Sequence, residues 1–134
     1  MLLIEDDDVD FIALHRLIDG RGFQVELQRA RNASEALEVL RLQQEDGRDG
    51  RQVIVLDLNM PGAGGIEFLA QVRADSALSG LVVFAYTSSE SPTDIQAAYA
   101  HHVAGYIVKG SADSATKLVD VLEAYITNVT LPLR

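Results

Sequence analysis

Val53-Ile54-Val55-Leu56-Asp57-Leu58-Asn59-Met60-Pro61-Gly62 lies near the middle of the chain. Four apolar residues in a row, three of them β-branched, read as a short strand buried on both faces. Such a strand belongs to a parallel sheet, whose crossover helices cover both of its sides. The run breaks on Asp57. A carboxylate at the end of a buried strand is costly to desolvate without a partner.

Working outward, Leu81–Tyr86 is a second continuous apolar run, and Leu2–Ile4, Gln24–Gln28 and Gly105–Val108 complete five strand candidates. Gln24–Gln28 alternates, Val25 and Leu27 against Glu26 and Gln28, which marks an edge strand. Helical patterns lie between the strands. Phe11, Leu14, Leu17 and Ile18 share one face of a first helix, closed by Gly20 or Gly22. Asn32 caps a second, with Glu35 as its capping-box partner and Ala33, Ala36, Leu37 and Leu40 as its apolar face. Ile66, Leu69, Ala70 and Val72 mark a third. Ser91-Pro92-Thr93-Asp94 opens a fourth, with Ser as cap, Pro at the first position and a carboxylate near the positive end. Leu118, Val121, Leu122, Tyr125, Ile126 and Val129 follow the period of a fifth. The polar stretch Gln43–Gln52 is the longest loop candidate, with room for the second helix to extend into it. The order is βα five times over, which predicts an α/β fold: a doubly wound, five-stranded parallel sheet with right-handed crossovers.

The length of 134 residues fits one domain, 1–134. Apolar residues at 48% and charged residues at 23% are ordinary for a globular chain rather than a disordered one. The net charge of −9 argues against nucleic acid or an anionic membrane as the main partner. Without cysteine there is no thiol catalysis and no thiolate-ligated metal, and a cytoplasmic location fits. Met1-Leu2-Leu3-Ile4 runs straight into Glu5-Asp6-Asp7-Asp8, which is not a signal peptide. No apolar run approaches the roughly 20 residues of a membrane span.

In open α/β sheets ligands sit beyond the carboxyl ends of the strands, where strand order reverses. The candidate residues there are Glu5 and Asp6 after the first strand, Asp57 after the third, Thr87-Ser88-Ser89 after the fourth and Lys109 after the fifth. They converge on one edge if the strand order is 2-1-3-4-5. Asp7, Asp8 and Asp10 read equally well as a solvated face favoured by the helix dipole. Glu5, Asp6 and Asp57 do not, because each follows an apolar strand. Clustered carboxylates repel unless a cation sits among them, and oxygen-only ligands suit Mg²⁺. With Lys109 as a fixed positive charge and the Thr87 hydroxyl as a donor, these are the parts of a phosphoryl-transfer site.

The sequence resembles the receiver domain of bacterial two-component response regulators along essentially its whole length. The resemblance rests on Glu5-Asp6, Asp57-Leu58-Asn59-Met60-Pro61, Thr87-Ser88 and Tyr106-Ile107-Val108-Lys109, in order among five βα units. It implies a flavodoxin-like receiver fold. It also implies that Asp57 accepts a phosphoryl group from a sensor histidine kinase. Asp6, Asp57 and the Asn59 backbone carbonyl would ligate Mg²⁺, with Glu5 acting through water. Lys109 would contact the phosphoryl group. Thr87 would move to it, and Tyr106 would rotate inward as Thr87 leaves its place. The signalling surface would be Thr93–His101, Gly105–Val108 and Asp113–Val129. Glu5-Asp6-Asp7 with Asp10, Asp94-Ile95 with Tyr99, and Leu131-Pro132 look like stand-alone regulators of phytochrome-type kinases, which tend to form homodimers through that face. Such a domain phosphorylates itself and slowly loses the group, with Asn59 and Ser89 placed to tune its lifetime. Gly110 stands where the family has a proline, often in a cis peptide, so the loop after Lys109 is expected to differ. The Gly62–Gly65 loop is unusually rich in glycine.

The rival readings are weaker. A phosphate-independent binding module of this fold usually lacks the acceptor, the lysine or the acidic pair. A phosphatase of the haloacid dehalogenase type wants a second Asp where Asn59 stands. Flavin or nucleotide binding wants a glycine-rich phosphate loop after the first strand. His15, His101 and His102 fall at no strand end of the candidate site, and Tyr86 and Tyr99 read as packing or interface residues.

Overall fold

The computed structural model describes residues 1–46, 52–60, 62 and 64–132. Positions 47–51 of the expected loop, Pro61 and Ala63 lie outside them. The elements run β1 (Leu2–Ile4), α1 (Asp8–Arg21), β2 (Gln28–Ala30), α2 (Ala33–Glu45), β3 (Val53–Leu56), α3 (Gly65–Ala74), β4 (Val82–Thr87), α4 (Pro92–Ala100), β5 (Gly105–Val108) and α5 (Ser114–Asn128). Five parallel strands pair in the order β2-β1-β3-β4-β5.

The continuous apolar runs follow from the two covered faces of this sheet. Alternate strand residues point to opposite sides. Leu2, Ile4, Ile54, Leu56, Val83 and Ala85 pack with Ala36 and Leu40 of α2, Phe68, Leu69 and Val72 of α3, and Ala98 of α4. Leu3, Val53, Val55, Phe84 and Tyr86 pack with Leu14 and Ile18 of α1 and Leu118, Val119 and Leu122 of α5. Among the described residues no helix is long and apolar enough to cross a membrane.

The caps behave largely as the sequence suggests. Asp7 caps α1, its Oδ1 accepting from the amides of Val9 and Asp10 at 2.8 and 3.1 Å, and Gly22 closes the helix. Asn32 Oδ1 accepts from the Glu35 amide at 2.9 Å. The return arm of the expected capping box slips by one residue, because Glu35 Oε2 accepts from the Arg31 amide. Ser91 accepts from the Asp94 amide and Pro92 opens α4.

Four expectations need correction. β2 is Gln28–Ala30, not Gln24–Gln28. β1 begins at Leu2, which pairs with Gln28, so residues 24–27 run past the start of their partner strand. Val25 and Leu27 still pack on the α1–α5 side, which produced the alternation. β4 is shifted by one residue to Val82–Thr87, since Thr87 pairs with Val108 and belongs to the ladder. In α5 Val119 joins Leu118 and Leu122 in the core, while Val121 is 41% exposed. In α3 Phe68 is fully buried and Ala70 is exposed. The second helix does extend into the polar stretch, as the sequence allowed: α2 reaches Glu45 and buries Gln43, whose side chain hydrogen-bonds Gln28 and Gln52.

One glycine of the Gly62–Gly65 loop is held by packing. A Cβ on Gly65 would lie 2.6 Å from Leu58 Cα and 2.9 Å from the Asp57 carbonyl oxygen. The first turn of α3 therefore rests on the backbone of Asp57 and Leu58 as it leaves β3.

Candidate functional site

The parallel ladder runs one residue beyond β1, β3 and β5. The Glu5 amide donates to Ala30, the Asp57 amide to Ile4 and the Lys109 amide to Thr87, all at 2.9–3.1 Å. Three chemically active side chains are thus fixed on sheet backbone rather than carried on free loops. Glu5, Asp57, Thr87 and Lys109 stand together at the carboxyl edge, as the strand order requires.

Lys109 is the hub. Its Nζ donates to Glu5 Oε1, to Asp10 Oδ2 at 2.8 Å and to Asp57 Oδ2 at 3.2 Å. It also lies 5.2 Å from the centre of the Tyr86 ring, a cation–π distance. Glu5 is fully buried and Asp57 is 7% exposed. Burial pushes the Glu5 carboxyl up to about 7; the Asp57 charge adds to the rise and Lys109 opposes it. For Lys109, burial alone would lower the pKa, but the hydrogen bonds to Asp10 and Glu5 and the charge of Asp57 outweigh it, and the ammonium is held above its ordinary range.

Glu5, Asp6 and Asp57 each offer a carboxylate oxygen, all within 4.8 Å of one another. With Asp10 they set four carboxylates against one ammonium. An oxygen-only set with excess negative charge fits a hard divalent cation such as Mg²⁺, which would relieve the repulsion. The other oxygen of Asp57, Oδ1, accepts from the Asn59 amide at 3.0 Å, which helps to orient the carboxylate.

Beside this cluster the Asn59 Nδ2 reaches Thr87 Oγ1 at 3.4 Å and Ser88 Oγ at 3.3 Å. Thr87 is fully buried. Its hydroxyl also accepts from the Ser89 amide. Ser89 donates its own hydroxyl to Asp94 in the first turn of α4, at 2.6 Å. The Tyr106 hydroxyl donates to the Ser89 carbonyl at 2.8 Å. Burial, with the charges of Asp94 and Asp57, raises the Tyr106 pKa against the Ser89 hydrogen bond. Thr87, Ser89, Tyr106 and the start of α4 therefore form one connected loop next to the acid cluster.

Two functional candidates escape the sequence reading. Asp10 looks like an ordinary dipole residue in the first turn of α1, yet it touches Lys109. Arg29 donates from Nε to the Glu5 carbonyl at 3.0 Å and from Nη1 to Asp8 at 2.8 Å, with its guanidinium 4.6 Å over the Phe11 ring. It ties the acid loop to β2. The sequence reading ended β2 at Gln28 and left Arg29 outside the sheet. Asp7 and Asp8 keep their structural roles, as cap and as partner of Arg29 and Arg31. The Lys109–Gly110 peptide is trans, and Gly110 has φ +117°. Proline, fixed near −65°, cannot take that conformation, so the loop departs from the family pattern as expected. His15 pairs with Asp19 on α1, and His101 and His102 lie in the α4–β5 turn. None reaches the acid cluster. Tyr86 is buried and Tyr99 is exposed.

Comparison with known proteins agrees with this geometry. The model of the response regulator receiver domain matches residues 1–123. A probable methanogenesis regulatory protein, FilR2, of Methanothrix harundinacea is 30% identical over 93% of this chain and 81% of its own length. Response regulator Rcp1 of Synechocystis is 30% identical over 98% of this chain and 92% of its own. The crystal structure of the Mn²⁺-bound form of response regulator Rcp1 superposes with a TM-score of 0.84 at 29% identity, covering 98% of this chain and 96% of that one. The phosphorylated cyanobacterial phytochrome response regulator RcpA gives 0.83 at 30% identity, with the same coverage.

Proposed function

The chain belongs to the response regulator receiver domain family, and from that premise we propose that it is a phosphorylation-driven switch with Asp57 as its acceptor. The observation that carries this is the Lys109 ammonium joining Glu5, Asp10 and Asp57 beside Asp6. An Asp57 oxygen attacks the phosphorus of a phosphohistidine on a sensor kinase. The P–N bond breaks, the imidazole leaves and an acyl phosphate forms. Mg²⁺ held by Asp6, Asp57 and the Asn59 backbone carbonyl, with Glu5 acting through water, would neutralise charge on the transferring group. Lys109 turns one N–H to a phosphoryl oxygen. The Thr87 hydroxyl donates to another, which pulls on Ser89 and so on Tyr106 and α4.

The kinase is of the phytochrome type in this reading, supported by the likeness to RcpA. Output goes through α4, β5 and α5, as a homodimer. The exchange takes place in the cytoplasm, in keeping with a chain that lacks cysteine. The domain phosphorylates itself from small donors and slowly hydrolyses the product. Asn59 and Ser89 tune that lifetime, Asn59 through its hydrogen bonds to Thr87 and Ser88, Ser89 through its tie to Asp94.

The test is intact mass after incubation with Mg²⁺ and acetyl phosphate. The expected result is a gain of one phosphoryl group that disappears in Asp57→Ala and with chelator. No gain, from acetyl phosphate or from candidate kinases, would leave the phosphate-independent binding module as the better reading.

A further inference from the structure

Lysine has three N–H donors and no acceptor. In Lys109 each has a carboxylate within reach, on Glu5, Asp10 and Asp57. The three anchors are not equivalent. Glu5 and Asp57 belong to the oxygen cluster that suits a divalent cation, and Asp10 does not. When a cation claims the first two, Asp10 is the carboxylate still free to hold the ammonium. The helix dipole accounts for an acid in the first turn of α1, but not for its contact with a lysine 99 positions away.

The amide hydrogen bond to Thr87 fixes the Lys109 backbone but not the end of its flexible four-carbon stem. Gly110 follows Lys109 at φ +117°, and nothing lies within 4 Å of the place its Cβ would occupy. Asp10, in contrast, is braced. Its amide donates to the Asp7 cap at 3.1 Å, so its place in the first turn is set by the same residue that starts the helix.

We infer that Asp10 is a positioning residue for phosphoryl transfer, holding the Lys109 ammonium in place beside Asp57. The inference rests on the phosphoacceptor reading above and adds to it a side chain from α1. Asp10 touches no phosphoryl oxygen itself. It acts through Lys109, leaving one N–H free to turn from Asp57 to the incoming group.

The test is a double-mutant cycle read as the initial rate of phosphoryl gain by intact mass, with Mg²⁺ and acetyl phosphate. Asp10→Ala should slow wild type by roughly tenfold, within the coupling range of contacting pairs. Asp10→Asn keeps an acceptor oxygen without the charge and should fall between. In Lys109→Ala the same Asp10→Ala change should alter the rate by less than about twofold. Thermal unfolding of each variant separates lost positioning from lost fold. A ¹⁵Nζ spectrum of Lys109 with Mg²⁺ present gives a readout independent of turnover, and Asp10→Ala should average that signal toward a solvent-exposed lysine.

A rate equal to or faster than wild type in Asp10→Ala would overturn the inference, because Asp10 would then only repel the anionic donor. Equal slowing with and without Lys109, or an unchanged Lys109 signal, would also overturn it. If wild type itself gains no phosphoryl group, the acceptor reading falls, and this inference falls with it.

Discussion

Gly110 stands where the family usually carries a proline. With proline after the lysine, the ring fixes the backbone beside the site. Here the backbone takes φ +117°, in the region that favours glycine. There is open space around the missing Cβ, so a substitution meets strain without a clash. Gly110→Ala should therefore cost about 1–3 kcal/mol, seen as a lower urea midpoint at unchanged slope. Gly110→Pro forces a different φ and should also slow phosphoryl gain, because Lys109 moves. An unchanged midpoint in the Ala variant would mean that the loop relaxes freely. The same residues show what a sequence reveals at this scale. Glu5 and Asp57 were legible because each ends an apolar strand, where an unpaired carboxylate is costly to bury, and Lys109 only in their company, since a lone lysine at a strand end reads as a surface residue. Asp10 was not, since an acid in a first helical turn is already explained by the dipole. Arg29 was lost with the register of its strand.

Elements were legible where pattern and pairing coincide. β3 has a continuous apolar run and neighbours on both sides, and its bounds emerge as expected. β2 has alternation without a partner over residues 24–27, and hydropathy cannot see where the neighbouring strand begins. α5 carries more apolar side chains than its packed face uses, so Val121 reads as core and ends up outside. Arg73 is an element-level device that no pattern announces. It donates from Nε to His101, from Nη1 to Ser79 and Leu81, and from Nη2 to His102, at 2.7–3.0 Å. It thereby clasps the end of α3 to the entries of β4 and β5, at the opposite edge of the sheet from Asp57. Arg73→Met keeps most of the aliphatic stem and loses the clasp. Hydrogen bonds from a charged donor are worth about 1.5–3 kcal/mol each when buried, and water replaces some of these. The expected loss is roughly 2–3 kcal/mol in chemical denaturation, with the initial rate of phosphoryl gain unchanged. A slowed rate at full occupancy of the folded state would show that the two sheet edges are coupled.

For the whole molecule the governing quantity is charge. Each copy carries −9, so two copies repel at long range and salt should screen that repulsion. On the reading proposed above they meet through α4, β5 and α5, where Tyr99 and Val121 stand 49% and 41% exposed. The proposed relay runs from Asp57 through Thr87 and Ser89 to Asp94 and Tyr106, on α4 and β5 of this same face. Phosphorylation should thus change self-association, not only local structure. Light scattering with Mg²⁺ and acetyl phosphate should show a shift from monomer toward dimer that Asp57→Ala lacks. Tyr99→Asp should block the shift while leaving phosphoryl gain intact. The dissociation constant should fall as salt rises from about 50 to 300 mM, over which the Debye length shortens from roughly 14 to 6 Å. A dimer that weakens with salt would point to an interface built on ion pairs, away from Tyr99. A chain that stays monomeric when phosphorylated would remove self-association from the output and leave the face to a different protein.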